Sequence, residues 1–146
     1  MAAESHLPSL LRETCRELAQ LVDAQGCLIS RVIGELLIEV AAYAPDGKDL
    51  TLGHGYLIPD YPLTQEVIER QEPRAVSLLD PDAEPNEAAL LRELGFESLL
   101  MLPLVSAGEC WGLVELYGGA GRRFAAEDAG RADSLLARAA EALARE

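Results

Sequence analysis

Two long apolar runs towards the C-terminal end give the clearest structural prediction. Ser98–Val105 and Trp111–Tyr117 are rich in leucine, valine and aromatic residues, and the polar stretch Ser106–Glu109 separates them. Apolar runs of this length, bounded by turn residues, predict the two strands of a β-hairpin. Neither run alternates between apolar and polar positions, so we expect both strands to be central in a sheet and covered on both faces. Glu115 lies inside the second run, where its carboxylate needs a partner, a ligand or water.

A second hairpin is predicted earlier in the chain. Cys27–Val32 and Leu36–Tyr43 combine β-branched and apolar residues on either side of a turn at Ile33–Glu35. After a loop rich in turn residues, Leu50–Gly55 predicts a short edge strand, and Tyr56–Asp60 predicts an irregular segment.

Helical periodicity marks both ends of the chain. Leucines at spacings of three and four predict an amphipathic helix over residues 7–25, with residues 1–6 as a disordered tail. A long C-terminal helix is predicted over residues 125–146, with a heptad-like stripe built mostly of alanine. Ala125 occupies its N-cap position, where the missing side-chain cap costs about 1 kcal/mol. Acidic residues in the first turn partly offset that cost.

The middle of the chain predicts two short helices with a strand between them. The first helix begins at Pro62, which suits a first turn, and ends before Glu72. Arg74–Leu79 is a candidate strand, and Asn86–Leu94 predicts the second helix, with Gly95 at the position of a C-terminal cap.

This order of elements predicts one α+β domain over residues 1–146 with an antiparallel sheet. The N- and C-terminal helices are expected to cover one face of the sheet. The helical and irregular middle segment, Leu50–Gly95, is expected to cover a pocket on the other face.

The second half of the chain resembles a GAF domain. The resemblance is carried by Leu99–Leu104, then a polar turn, then Gly112–Leu116, then Arg123-Phe124 entering an acidic helix start. In the same order of elements it extends over roughly Leu7 to Leu143. The resemblance implies a sensory module of signalling proteins that binds a small molecule between the sheet and the helical middle.

The resemblance also implies partners. Many GAF domains dimerise through their terminal helices, so we expect a homodimer of this kind and, in a longer parent protein, a signalling output domain. A structural dimerisation module without a ligand is the alternative from a different class. A thiol-based reductase related to free methionine sulfoxide reductase is a third.

No subtype signature of the family is present. None of Cys15, Cys27 and Cys110 is followed by the histidine that usually accompanies a bilin-attachment cysteine. The Asn-Lys-Phe-Asp-Glu signature of cyclic-nucleotide-binding members is absent, and only His54 could serve a haem. The cysteines are predicted on a helix and two strands, which does not match the pocket cysteines of the reductases. We therefore expect no cofactor and leave the ligand unidentified.

Charge and cysteine content narrow the partners and the location. The formal net charge is -13, and Lys48 is the only lysine, which disfavours nucleic acid and anionic membrane surfaces. No apolar stretch approaches the length of a membrane span, and the N-terminus lacks a signal-peptide pattern. Three widely spaced cysteines suit a reducing compartment, so we expect a cytoplasmic protein.

Catalytic and metal-binding patterns are weak, and we expect no enzyme and no metal site. The only histidines are His6, in the predicted tail, and His54, in a predicted loop, and neither lies near a cysteine in sequence. The acidic loop Asp80–Pro85 lacks the glycine and the glutamate of a calcium loop. Gly118–Arg123 has two interpretations, a flexible linker or an anion-binding turn, and the first is the default.

The remaining candidate site is the pocket between the sheet and the middle segment. Tyrosine and threonine residues of the middle segment lie near polar residues of otherwise apolar strands, which is the usual composition of a small-molecule site. Two structural alternatives remain open: Ser30 bonds to backbone, and Glu39 pairs with Arg31 across the hairpin on a solvated face. The candidate ligand-binding residues are Ser30, Tyr43, His54, Tyr56, Tyr61, Thr64, Met101 and Glu115.

Overall fold

The computed structural model describes residues 6–44 and 54–145, which form four α-helices and six strands. The helices are α1 (Leu7–Leu21), α2 (Pro62–Arg70), α3 (Pro85–Leu94) and α4 (Ala126–Ala144), and a 3-10 turn at Ile58–Asp60 precedes α2. The strands are β1 (Gly26–Ile33), β2 (Leu36–Tyr43), β3 (Gly55–Leu57), β4 (Arg74–Ser77), β5 (Ser98–Ser106) and β6 (Glu109–Gly118). The predictions for residues 1–5, 45–53 and 146 lie outside the described residues.

The two predicted hairpins join into one antiparallel sheet of order β3-β2-β1-β6-β5-β4. Their junction is the β1–β6 pair, which runs from Gly26 opposite Tyr117 to Arg31 opposite Gly112. The two apolar runs form β5 and β6, and most of their residues are buried. This confirms the prediction of central strands covered on both faces.

Each face of the sheet has its own apolar core. On one face α1 and α4 pack against it, with Leu18, Ala132 and Val114 among the buried residues. On the other face the middle segment packs against it, with Val67 of α2 and Leu113 of β6 in the core. The α+β arrangement predicted from the sequence is confirmed.

The alanine stripe of α4 is buried inside the chain. Ala129, Ala132, Ala139 and Leu143 all lie in the core shared with α1 and the sheet. Small side chains let α4 approach its neighbours closely, so the predicted stripe serves intramolecular packing. Within residues 6–44 and 54–145, no helix has both the length and the hydrophobicity needed to cross a bilayer.

Local backbone chemistry explains where the element boundaries differ from the sequence prediction. Helix α1 ends at Leu21, before the predicted residue 25, because the chain turns at Asp23, which has a φ of 55°. Strand β3 begins at Gly55, the last residue of the predicted edge strand, and extends into the segment predicted as irregular, where Leu57 pairs with Leu36 of β2. Gly95 has a φ of 84° directly after α3, as expected of a C-terminal cap.

The arginines of the turn between β6 and α4 are engaged within the chain. Arg122 donates to the carbonyl of Val22 at 2.6 Å and to the carboxylate of Asp128 at 3.2 Å. Arg123 pairs with Asp80. Both guanidinium groups are thus engaged within the chain, which disfavours the anion-binding interpretation of this turn.

We predict that Ala125→Ser raises the free energy of unfolding by about 1 kcal/mol. Ala125 is the N-cap of α4 with extended backbone, and its own side chain offers no cap, although Asp128 accepts its N–H at 2.7 Å. A serine hydroxyl there would accept a free N–H of the first turn. Urea unfolding measures the effect, with Ala126→Ser as the control one residue inside the helix. Equal stability of the two variants would contradict the prediction.

Candidate functional site

A cavity of about 390 Å³ lies between the sheet and the middle segment. Its apolar lining comes from both sides: Leu28, Leu37, Ile58, Leu90 and Leu94. Its polar lining is His54, Tyr56, Tyr61, Thr64, Tyr117 and four glutamates, Glu39, Glu87, Glu93 and Glu115. The volume is near the lower end of the roughly 300–1,000 Å³ of small-molecule sites.

Strand alternation places the sheet residues of this cavity. In β6, Glu115 and Tyr117 line the cavity. Val114 and Leu116, which alternate with them along the strand, pack in the core beneath the terminal helices. In β2, Leu37 and Glu39 line the cavity in the same way. An apolar run without visible alternation therefore presents a carboxylate to the cavity and aliphatic groups to the helix-side core.

Glu115 is held in a strongly unfavourable environment for a negative charge. Its side chain is buried, with 7% of the residue exposed. Burial, together with the nearby carboxylates of Glu87 and Glu39, raises the pKa of Glu115 to about 8. This carboxyl group is therefore mostly protonated at neutral pH.

Glu87 and Glu39 share this environment from other elements. Burial raises the pKa of both carboxyl groups above the usual value. Glu87, from α3, is hydrogen-bonded to the Thr64 hydroxyl, which opposes the shift in its pKa. Glu39, from β2, is 6% exposed, and its Oε1 atom has no hydrogen-bond partner. The Nδ1 atom of His54 lies 4.0 Å from that oxygen, beyond hydrogen-bonding distance.

Aromatic rings form a second part of the wall. The rings of Tyr56 and Tyr61 meet edge to face, with centroids 5.9 Å apart. Burial and the carboxylate of Glu39 raise the pKa of Tyr56 to about 12, so its hydroxyl stays protonated. Tyr117 also lines the cavity, and its ring stacks on that of Phe96 with centroids 4.8 Å apart.

The structure brings five of the candidate residues together around the cavity: His54, Tyr56, Tyr61, Thr64 and Glu115. Met101 is fully buried behind them, opposite Glu115 in the sheet, with its sulfur 3.4 Å from the Thr64 hydroxyl. Ser30 lies opposite Glu39 and Leu113, is buried and has an unpartnered hydroxyl, but does not line the cavity. The proposed bond of Ser30 to backbone is not formed.

Tyr43 lies on the other face of the sheet, against the helix-side core. The cause is an extra residue in β2: Ile29 pairs with Ala41 and Ser30 pairs with Glu39, which leaves Val40 as a β-bulge. A bulge reverses the alternation of side chains beyond it. Tyr43 therefore faces away from the cavity that Glu39 lines.

Three cavity carboxylates, Glu39, Glu87 and Glu93, were not among the predicted residues. The pairing of Glu39 with Arg31 is wrong, because Arg31 lies opposite Ile38 and its guanidinium stacks over Trp111 at 5.2 Å. Glu87 carried a usable signal: it precedes Leu91 and Leu94 by four and seven residues, which places it on their helix face. That spacing predicts a carboxylate directed towards the sheet.

The cysteines lie away from the cavity. Cys15 and Cys27 are buried in the helix-side core, and Cys110 is half-buried at the start of β6. Burial raises the pKa of the Cys27 and Cys110 thiols, which disfavours the reactive thiolate. No lysine or arginine is among the described residues that line the cavity.

Comparison with known proteins gives a consistent result. A family profile described as GAF domain matches residues 6–143. The fold is similar to that of the GAF domain of Thermosynechococcus elongatus PixJ in its blue-light-absorbing form, with a TM-score of 0.81 and 13% identity over 99% of this chain and 90% of that one. A phycoerythrobilin-bound GAF domain from a cyanobacterial phytochrome gives 0.80 and 15% identity over 95% and 86% of the two chains.

A longer protein is similar over part of its length. The chromophore-binding domain of the Stigmatella aurantiaca bacteriophytochrome gives a TM-score of 0.80 and 18% identity over 99% of this chain. The chain spans 56% of that structure. No protein matched in a search of curated sequences. At these identities the structural likeness shows a shared fold.

Proposed function

The chain belongs to the GAF domain family, and from that premise we propose that it is a sensory domain whose small-molecule ligand binds in the cavity between the sheet and the middle segment. The observation that carries the proposal is the state of Glu115 and Glu39. Both are buried, both line the cavity, and Glu39 Oε1 has no hydrogen-bond partner. Such groups destabilise a fold unless something compensates them, so perturbed carboxyls in a cleft indicate a binding site.

The sheet supplies a physical route from the cavity to the terminal helices. Glu115 lines the cavity, and its neighbours Val114 and Leu116 pack in the core beneath α1 and α4. A ligand that shifts β6 would change the packing of those helices. A signal requires that the ligand bind one helix arrangement more tightly than another.

We extend the proposal to a homodimer formed through the exposed faces of α1 and α4. The two helices contact each other, and Arg138 of α4 pairs with Glu17 of α1 at 3.6 Å. Because the alanine stripe of α4 is buried within the chain, the dimer contact would use the outer helix faces. An output domain in a longer protein would then read the arrangement of the helices.

The proposed domain is a non-enzymatic sensor located in the cytoplasm. Its three cysteines are free and lie away from the cavity, which suits a reducing compartment and gives no support to thiol catalysis. A bilin, as named for the structural neighbours, fits this cavity poorly. No cysteine is among its described lining residues, and the glutamates would repel the carboxylates of a bilin.

The test is a thermal-shift screen of small metabolites of all charge classes, followed by sedimentation analysis. A binder at 100 times its dissociation constant is expected to stabilise the fold by about 2.7 kcal/mol. We also expect binding to change the sedimentation of the dimer. Leu90→Trp, which fills the cavity, should abolish both effects. Leu79→Trp, at a leucine that is 60% exposed, should retain them.

A dimer that binds no metabolite would contradict the sensory proposal and favour a structural dimerisation module. An invariant monomer with a bound ligand would contradict only the part that concerns helix-mediated signalling.

A further inference from the structure

We propose that the ligand of this cavity is an organic cation, a protonated amine on a compact apolar body, and that Glu115 and Glu39 bind its ammonium group. This inference rests on the proposed function and adds the chemical class of the ligand. It starts from four observations: the charge of the lining, an unpartnered acceptor, the aromatic wall and the apolar remainder.

The charge of the lining is of one sign. Four glutamates line the cavity, and no lysine or arginine among the described lining residues balances them. Among the described residues of the wall, His54 is the only basic one, and its side chain is 59% exposed to solvent. An anionic ligand would add like charge to a site of low dielectric, whereas a cation would relieve the existing repulsion.

The hydrogen-bonding groups also require a donor. Glu39 Oε1 is buried without a partner, and an ionised carboxylate can only accept hydrogen bonds. The Thr64 hydroxyl is already bonded to Glu87. A protonated amine supplies several N–H donors together with the positive charge, so it satisfies both needs with one group.

The rest of the cavity favours an organic cation over a metal ion. Within residues 6–44 and 54–145, no three His, Cys, Asp or Glu side chains converge as a metal site requires. Leucine and isoleucine side chains form much of the wall, and they suit an apolar body. The rings of Tyr56 and Tyr61 add π-faces, which attract a cation within about 6 Å of the ring centre.

Binding of a cation should release a proton. Glu115 is mostly protonated at neutral pH, and an ammonium group beside it favours the ionised carboxylate. The affinity for the amine should therefore rise with pH up to about 8. The titratable groups that face Glu115 are Glu39 from β2, His54 and Tyr56 at β3, Tyr61 before α2, Glu87 and Glu93 from α3, and Tyr117 from β6.

The experiment is calorimetric titration with probes of matched shape and different charge. Butylamine, phenethylamine and tryptamine are each compared with the alcohol and the carboxylate of the same skeleton. We expect at least one amine to bind, with its neutral and anionic counterparts weaker by tenfold or more. Below the pKa of Glu115 the affinity of that amine should rise about tenfold per pH unit, with release of one proton.

Two variants and one control connect the binding to the carboxylates. Glu115→Gln should weaken amine binding at least tenfold and remove its pH dependence. Glu39→Gln should weaken binding while retaining the pH dependence, and it serves as a second test if the first variant fails to fold. Glu109→Gln changes an exposed glutamate of the same strand and should bind like the unmodified protein.

The outcomes separate this inference from the proposed function. If the metabolite screen finds a neutral or anionic ligand that Leu90→Trp excludes, the sensory function stands and the cation is wrong. Amine binding that neither glutamine variant weakens also overturns the inference. If no probe and no metabolite of any charge binds, both proposals fail.

Discussion

Glu115→Gln is expected to raise the free energy of unfolding at about pH 9 by on the order of 5 kcal/mol. The pKa of Glu115 is about 8 in the folded chain, against 4.5 for an unperturbed glutamate. At a pH below the pKa of Glu115 in the unfolded chain, the residue is protonated in both states and does not lower the free energy of unfolding. As the pH rises towards 8, the unfolded chain loses its proton first, so stability falls. Glutamine resembles the neutral acid at every pH and avoids that loss.

The measurement is urea unfolding of both proteins at several values between about pH 4 and pH 9. The difference in unfolding free energy should be near zero at the acid end and grow through the interval between the two pKa values. Glu109→Gln, at an exposed position of the same strand, should show no such growth. A constant difference between Glu115→Gln and the unmodified protein would contradict the burial of a titrating carboxyl.

Gly112→Ala is expected to destabilise the fold by about 3 kcal/mol or more. Gly112 lies where β6 pairs with β1, opposite Arg31. A Cβ atom at this glycine would lie 2.4 Å from the carbonyl oxygen of Ser30 and 3.7 Å from the Cα of Arg31. These are backbone atoms, which no rotamer change can move away. The two central strands would have to separate at the junction of the hairpins.

The control is the same chemical change at Gly130, inside α4. A Cβ atom at Gly130 has no neighbour within 4 Å. Alanine is favoured over glycine in a helix interior by about 1 kcal/mol, so Gly130→Ala should stabilise the fold. Thermal or urea unfolding compares the two variants. If Gly112→Ala is as stable as Gly130→Ala, the close approach of β1 and β6 at this point is contradicted.

The fold was largely predictable because its strongest elements depend on local pattern. The apolar runs around Ser106–Glu109 are long enough to define the interior strands β5 and β6, and the periodic leucines and alanines define the terminal helices. The positions of Tyr61, Thr64 and Glu115 at the cavity follow from polar residues in or near apolar elements. These inferences need only the period of two or of 3.6 and the requirement to bury apolar surface.

The remaining site residues depend on interactions between strands that local pattern does not encode. Tyr43 faces the helices because Val40 bulges, and a single extra residue in β2 reverses the alternation. Glu39 reaches the cavity because the register sets it against Ser30, whereas Arg31 lies opposite Ile38. Register and bulges are settled by pairing over long sequence separations, so they emerge only when the sheet is assembled.

Strand β6 contributes both to the cavity and to the packing of the terminal helices. Leu113, Glu115 and Tyr117 face the cavity side of the sheet. Val114 and Leu116 face the other side, in the core beneath the terminal helices. A substitution that changes the packing on one face of β6 displaces its backbone, and this displacement alters the packing on the other face. If the proposed function is correct, ligand preference and dimerisation are expected to change together in the course of evolution. Engineering a new ligand specificity would require simultaneous redesign of the cavity lining and of the core beneath the terminal helices.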